Sequence, residues 1–278
     1  MIPAQFEYVR AGSVDEAIAA LGSHEDAKLL AGGHSLLPAM RLRVARPSTL
    51  VDIGRISDLS YVREDGDRVA IGALTRHHDV ANSEVLTSLC PIVASAAEQI
   101  GDPQVRHMGT IGGSVAHGDP AGDLPSVLLA LEADFTAQGP NGTRTIAATD
   151  FFTSLLETAL EDDEMLTEIS VPKTDAGWSY LKFNRRAQDW ALVGVAAVRS
   201  NGGVHVGLTN MGLTPLRAIG VEEAVSGGAD PATAATRADW GTSPPSDAFA
   251  SAEYRTELVK VLVRRALEEA LRERDPHR

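Results

Sequence analysis

Two short glycine-centred segments carry the residues best suited to hold an anion. Ala31-Gly32-Gly33-His34-Ser35 follows an apolar, strand-like run from Lys28 to Leu30 and precedes a helical stretch from Ser35 to Arg43. Adjacent glycines let successive backbone N–H groups converge, and a helix N-terminus adds partial positive charge, so a phosphate is the natural ligand. A tight strand-to-helix turn can equally require glycine for positive φ alone. Thr110-Ile111-Gly112-Gly113-Ser114 repeats the glycine pair between hydroxyl side chains, with Asp119 and Asp123 close behind. Two such turns suit a ligand with two phosphates better than a ligand with one. Neither G-x-G-x-x-G nor G-x-x-x-x-G-K-[ST] occurs, so any nucleotide is held by a fold other than a Rossmann domain or a P-loop.

Other candidates are weaker. His77 and His78 are adjacent, and His107 and His117 sit in a glycine-rich stretch without H-E-x-x-H or a similar pattern, so no metal site is expected in this chain. Ser114, His117 and Asp123 could be drawn as a hydrolase triad, but G-x-S-x-G is missing. Trp190, at the head of Q-D-W-A-L-V-G-V, reads as core packing or as an aromatic that stacks on a planar ligand.

The elements that must position these residues are partly legible. Ser13 and Glu16 have capping-box spacing, Ala17, Ile18 and Leu21 share one face, and Gly22 is a stop, which predicts a helix. Thr49 to Ile53 and Arg68 to Leu74 read as strands, and Arg76 to Ile100 as mostly helical with a restart at Pro91. Gly101 to Pro125, the most glycine-rich stretch, reads as a long functional loop. Leu124 to Leu131 reads as helix, Asp134 to Gln138 and Thr143 to Ala147 as a hairpin with a P-N-G turn, and Met165 to Val171 as a strand. Ser179 to Arg185, Ala191 to Arg199 and Val204 to Thr209 form an antiparallel meander, joined in part by an N-G-G turn at 201–203. Gly227 to Ser246 reads as a loose connection, and 251–274 as a helix with its stripe at Leu258, Val259, Leu262, Val263, Ala266 and Leu267.

The chain has 278 residues, a prior of about two domains. It is 44% hydrophobic and 23% charged, an ordinary globular composition. Its 25 Lys and Arg stand against 38 Asp and Glu, net −13, which argues against a general affinity for nucleic acid or an anionic membrane. A single cysteine, Cys90, excludes an intrachain disulfide and a Cys₄ iron–sulfur or zinc site built from this chain alone. The longest apolar stretch, Ala191 to Val198, is far short of the ~18 residues of a membrane span. A cytoplasmic location is expected.

In order and wording, several motifs resemble the FAD-binding medium subunits of the molybdenum hydroxylases, in particular the aerobic carbon monoxide dehydrogenase branch. They are L-L-A-G-G-H-S-L-L-P at 29–38, A-R-P-S-T-L-V-D-I at 45–53, I-G-D-P-Q-V-R-H-M-G-T-I-G-G-S at 100–114, D-P-A-G-D-L-P, G-L-T-N at 207–210 and A-E-Y-R-T at 252–256. The resemblance implies an α+β fold: a two-subdomain FAD-binding domain of the p-cresol methylhydroxylase type over 1–176 (subdomains about 1–57 and 58–176), then a small C-terminal domain over 177–278 with an antiparallel three-stranded sheet and helices. It implies FAD as cofactor, with diphosphate loops on Leu30, Ala31, Gly32, Gly33, His34 and Ser35 and on Thr110, Gly112, Gly113 and Ser114. Further flavin contacts fall on Ile100, Asp123, Leu166 and Lys182, with Trp190 as the stacking candidate.

Ser114 stands where many relatives have Asn, and Trp190 where the nearest tend to have Tyr. Partners implied are a small subunit with two [2Fe-2S] clusters and a large subunit with the molybdopterin cofactor, as a dimer of heterotrimers. The subunit would pass electrons to a quinone, NAD⁺ or O₂, and the complex could lie at the inner face of the membrane. Substrates in reach of the family are carbon monoxide, a purine, an N-heterocycle or an aldehyde; the rival readings are a stand-alone flavin dehydrogenase and a non-redox nucleotide-binding module. A β-branched residue at Gly33 or Gly112 is expected to weaken FAD binding far more than folding, and His34→Ala to be milder.

Overall fold

The computed structural model describes residues 2–174, 177–200 and 203–272. Three sheets organise the chain. The first is parallel, with Thr49–Asp52 between Glu7–Arg10 and Ala27–Leu30. Its helix, Val14–Ser23, begins as its sequence predicts: Ser13 Oγ accepts from Glu16 N at 3.2 Å, and Glu16 reaches back to Gly12 N at 2.7 Å. Ala17, Ile18 and Ala20 then pack with Val51 and Ile53 in a small core.

The second sheet is antiparallel, in the order Val62–Asp65, Arg68–Gly72, Met165–Pro172, Asp134–Gly139 and Gly142–Ala147. Val62–Asp65 was not visible as a strand, because three of its four residues are charged. The helical region after Arg76 divides into His77–Ala81, Glu84–Leu89 and Pro91–Glu98, the last restarted by Pro91 at its first position.

The stretch from Gly101 to Pro125 corrects the expectation of a long loop. It is mostly helical: Pro103–Met108, Ile111–His117 and the start of Asp123–Ala130. Asp102 caps the first helix through Val105 N at 2.9 Å, Thr110 caps the second through Gly113 N at 3.1 Å, and Gly118 ends that helix at φ +63°. Glycine content argued for a loop, but these glycines serve caps and close packing.

The third sheet contains the expected meander, Trp178–Phe183, Val193–Ser200 and Gly203–Thr209, extended by a two-residue edge at Leu216–Arg217. Residues 201 and 202 of the N-G-G turn lie outside the described residues, as do Glu273 and Arg274 of the expected tail helix. That helix spans Ala252–Ala270 and is capped by Ser251. The segment 227–246 is less loose than its composition suggests. Asp230 caps a short helix, Pro231–Ala235, and Ala234, Ala235 and Ala238 are buried in the C-terminal core.

The apolar run Ala191 to Val198 is explained by burial on both faces of its strand. Val193, Val195 and Ala197 belong to the core under the long C-terminal helix, while Ala196 and Val198 join Tyr180 in the core of the second sheet. The helix Asp123–Ala130, buried along its whole length, belongs to the core of the second sheet and packs on the third. Its backbone rests directly on the third sheet, because a Cβ on Gly207 would stand 2.1 Å from the Ser126 carbonyl oxygen. Among the described residues no helix is long and apolar enough to cross a membrane.

Candidate functional site

The three sheets meet around a cleft of about 900 Å³. All fifteen residues singled out from the sequence line it: Leu30 through Ser35, Ile100, Thr110, Gly112 through Ser114, Asp123, Leu166, Lys182 and Trp190. They come from strand ends, helix starts and loops spread over 160 residues of chain. The volume lies near the upper end of ordinary ligand sites, as an elongated ligand requires.

The two glycine loops touch and do different work. In the first, Gly33 takes φ +74°, and a side chain there would also strike Leu37 Cδ1 at 2.8 Å. Among the described residues, the N–H groups of Gly32, Gly33, His34 and Ser35 have no backbone acceptor. Ser35 makes no capping bond to the helix Leu36–Arg41 that follows. This loop is therefore a set of unpaired donors beside the cleft, suited to phosphate oxygens.

In the second loop the N–H groups of Ile111 through Ser114 are already used. Ile111 N donates to Thr75 O at 3.0 Å, Gly112 N to Ala73 O at 2.9 Å, Gly113 N to Thr110 Oγ1, and Ser114 N to Thr110 O at 3.0 Å. Its glycines permit close approach. A Cβ on Gly112 would lie 2.5 Å from Ala73 Cβ and 2.6 Å from Ala73 O. Between the loops, a Cβ on Gly32 would lie 2.3 Å from Met108 O. The expected symmetry of two N–H cradles gives way to one cradle braced by a packed loop.

Asp123 and Lys182 form a buried ion pair across the cleft wall, Nζ to Oδ2 at 2.9 Å, with side chains 6% and 3% exposed. Lys182 Nζ also donates to Gln99 O at 3.0 Å, and the Tyr180 hydroxyl donates to Asp123 Oδ1. Burial pushes the Asp123 carboxyl above its ordinary range, opposed by the Lys182 ammonium and by the hydrogen bonds from Tyr180 and Lys182. Burial, then the Asp123 charge, holds the Tyr180 phenol well above its usual value and so protonated. Both carboxylate oxygens are thus engaged by protein donors before any ligand hydroxyl arrives. Tyr180 was missed by sequence reasoning. The signal was its i, i+2 spacing from Lys182, which puts both on one face of the strand Trp178–Phe183.

His77, weighed from the sequence only as a metal ligand, also lines the cleft while 5% exposed. At the rim, His34 is exposed and Trp190 is 58% exposed, so the core-packing reading of the indole fails. Trp190→Ala is expected to change apoprotein stability by less than about 0.5 kcal/mol, since it removes no buried contact. Urea melts of the flavin-free chain check this.

The N-terminal 4–174 match the family described as "FAD binding domain in molybdopterin dehydrogenase", and 178–270 match "CO dehydrogenase flavoprotein C-terminal domain". The chain is 43% identical to the carbon monoxide dehydrogenase medium chain of Hydrogenophaga pseudoflava, over 97% of this chain and 98% of that one. It is 39% identical to the glyceraldehyde dehydrogenase medium chain of Sulfolobus acidocaldarius, over 97% and 99%. A solved carbon monoxide dehydrogenase from Hydrogenophaga pseudoflava, lacking the Mo-pyranopterin moiety of its molybdenum cofactor, superposes with a TM-score of 0.93 at 45% identity, covering 98% and 99%.

The fold and the cleft define a flavin-binding subunit, and the chain belongs to the FAD-binding family of the molybdopterin dehydrogenases. It is a medium, FAD-binding subunit of the carbon monoxide dehydrogenase-like molybdenum hydroxylases, and thus an oxidoreductase component. The residues present fit such a cofactor: unpaired N–H groups for a diphosphate, glycines where a Cβ would intrude, and an apolar wall that includes Leu166.

Proposed function

We propose that this chain accepts electrons from [2Fe-2S] clusters of a small partner subunit, fed by the molybdopterin cofactor of a large subunit, and passes them through FAD to an acceptor such as a quinone. The observation that carries the reading is the convergence of the fifteen residues on one cleft beside the unpaired N–H groups of the first glycine loop. Bound FAD supplies the redox chemistry, accepting and releasing electrons singly or in pairs. The chain's own residues bind and orient. The N–H groups of Gly32 through Ser35 take the diphosphate, Leu166 covers an apolar ring, and the Asp123–Lys182 pair fixes the wall between FAD-binding and C-terminal regions. Trp190 stacks at the rim.

The need for partners follows from cysteine chemistry. Cys90 is the one cysteine of the chain, and its thiol is buried and pushed up to about 12 by that burial, so it is inert and cannot hold a cluster. Carbon monoxide is the substrate proposed for the assembly, by similarity to the carbon monoxide dehydrogenase medium chains. A dimer of heterotrimers in the cytoplasm is the proposed setting.

The test is stepwise. The full chain should bind one FAD non-covalently, released by heat or acid, and should not oxidise carbon monoxide alone. Adding the iron–sulfur and molybdenum subunits should give turnover, with flavin reduction following cluster reduction in rapid-mixing spectra. Turnover by the flavoprotein alone at the rate of the assembly would replace this reading with a stand-alone dehydrogenase.

A further inference from the structure

His77 sits at the N-terminus of the helix His77–Ala81, and its backbone N–H donates to Gly109 O at 3.0 Å. The ring lies against Gly109, which leads into the second glycine loop. A Cβ on Gly109 would stand 2.8 Å from His77 Cδ2 and 3.2 Å from Nε2, so glycine at 109 is what admits the imidazole. Because Gly32 rests on Met108 and Gly109, Gly109 touches both the imidazole and the donor-bearing first loop.

The two ring nitrogens differ. Among the described residues Nδ1 is sealed from solvent and has no hydrogen-bond partner, whereas Nε2 is not sealed and the residue borders the cleft. A buried N–H without an acceptor costs its full desolvation, so the neutral ring places its proton on Nε2. Neutrality follows from the surroundings. Burial first, then His34, Arg106 and Arg76, hold the imidazole down to about 4. A lone N–H beside a cleft, with the Arg76 and Arg106 charges acting on it, is matched by an anionic oxygen.

We infer that His77 is a further residue of the cofactor site, donating a hydrogen bond from Nε2 to an oxygen of the bound diphosphate. This rests on the FAD-binding reading and adds to it a residue outside both glycine loops. His77 makes the second loop more than a brace, because it supplies through a side chain a donor of the kind that Ile111 through Ser114 have already committed to the protein.

The experiment uses the full chain stripped of flavin, titrated with FAD, ADP and riboflavin. His77→Phe keeps the volume without the donor, and His77→Gln restores an N–H near the Nε2 position. His77→Phe should weaken FAD and ADP by about tenfold or more while riboflavin is unchanged, since riboflavin lacks the diphosphate. His77→Gln should bind FAD within about threefold of wild type, and the apo His77→Phe chain should melt no lower than wild type. A folded His77→Phe chain that binds FAD and ADP as wild type does would overturn the inference. So would an equal loss of riboflavin affinity, which would place the ring beside the flavin. If neither His77→Phe nor His77→Leu folds while His77→Gln does, the role is structural and the inference also fails. Wild-type protein that binds none of the three would strike the FAD-binding reading instead.

Discussion

Gly112→Val is expected to destabilise the flavin-free chain by about 3 kcal/mol or more, while Gly113→Ala, which disturbs the Thr110 cap, costs the apo chain about 0.5–2 kcal/mol and weakens FAD by about tenfold. The first glycine faces backbone. Its Cβ would meet Ala73 Cβ, O and Cα at 2.5, 2.6 and 2.8 Å. Ala73 cannot retreat without losing the bonds from Gly112 N and to Thr167 O, at 2.9 and 3.0 Å. Gly113 faces the space between the loops, where an added Cβ meets the Thr110 hydroxyl at 2.7 Å and then only Ala31 Cβ at 3.8 Å. Thermal melts of the apo variants, set beside flavin titrations, separate the two. An apo melting point for Gly112→Val equal to wild type would contradict the packing argument. This result divides the earlier expectation that treated Gly112 with Gly33: the latter, at φ +74° beside the unpaired donors, remains a binding position.

Lys182→Met should be of similar size. It leaves the Asp123 carboxyl buried with Tyr180 as its remaining side-chain donor, and breaking a buried pair in this way costs about 3–5 kcal/mol near neutral pH. The loss is pH-dependent with a definite sign. Burial already raises the Asp123 carboxyl, and removing the ammonium raises it further above its unfolded value. A native group that holds its proton more tightly than the unfolded chain loses stability as pH rises through its native pKa. The gap between Lys182→Met and wild type should therefore be wide at pH 8 and narrower at pH 5. Adding Asp123→Asn should recover part of the loss at pH 8, because the uncompensated charge is gone. Urea denaturation of the single and double variants at the two pH values measures this, and a gap that widens on acidification would contradict it.

What was legible in the sequence was whatever depends on neighbours along the chain. The capping box at Ser13 and Glu16, the hairpin around Pro140 to Gly142 and the C-terminal helix stripe are local patterns of spacing, and each produced its element. The resemblance in the glycine motifs carried the family and the residues that line the cleft.

The jobs of individual glycines were not legible, because a glycine looks the same whether it supplies φ, an N–H or room for a neighbour. Gly112 and Gly207 are explained by Ala73 and Ser126, each tens of residues away. The helices between Gly101 and Pro125 were hidden for the same reason, since their glycines lower helix propensity while permitting the packing that offsets it. Only the tertiary structure could pair Lys182 and Tyr180 with Asp123, or set His77 under Gly109, because burial and hydrogen bonding between distant segments depend on the whole chain being folded.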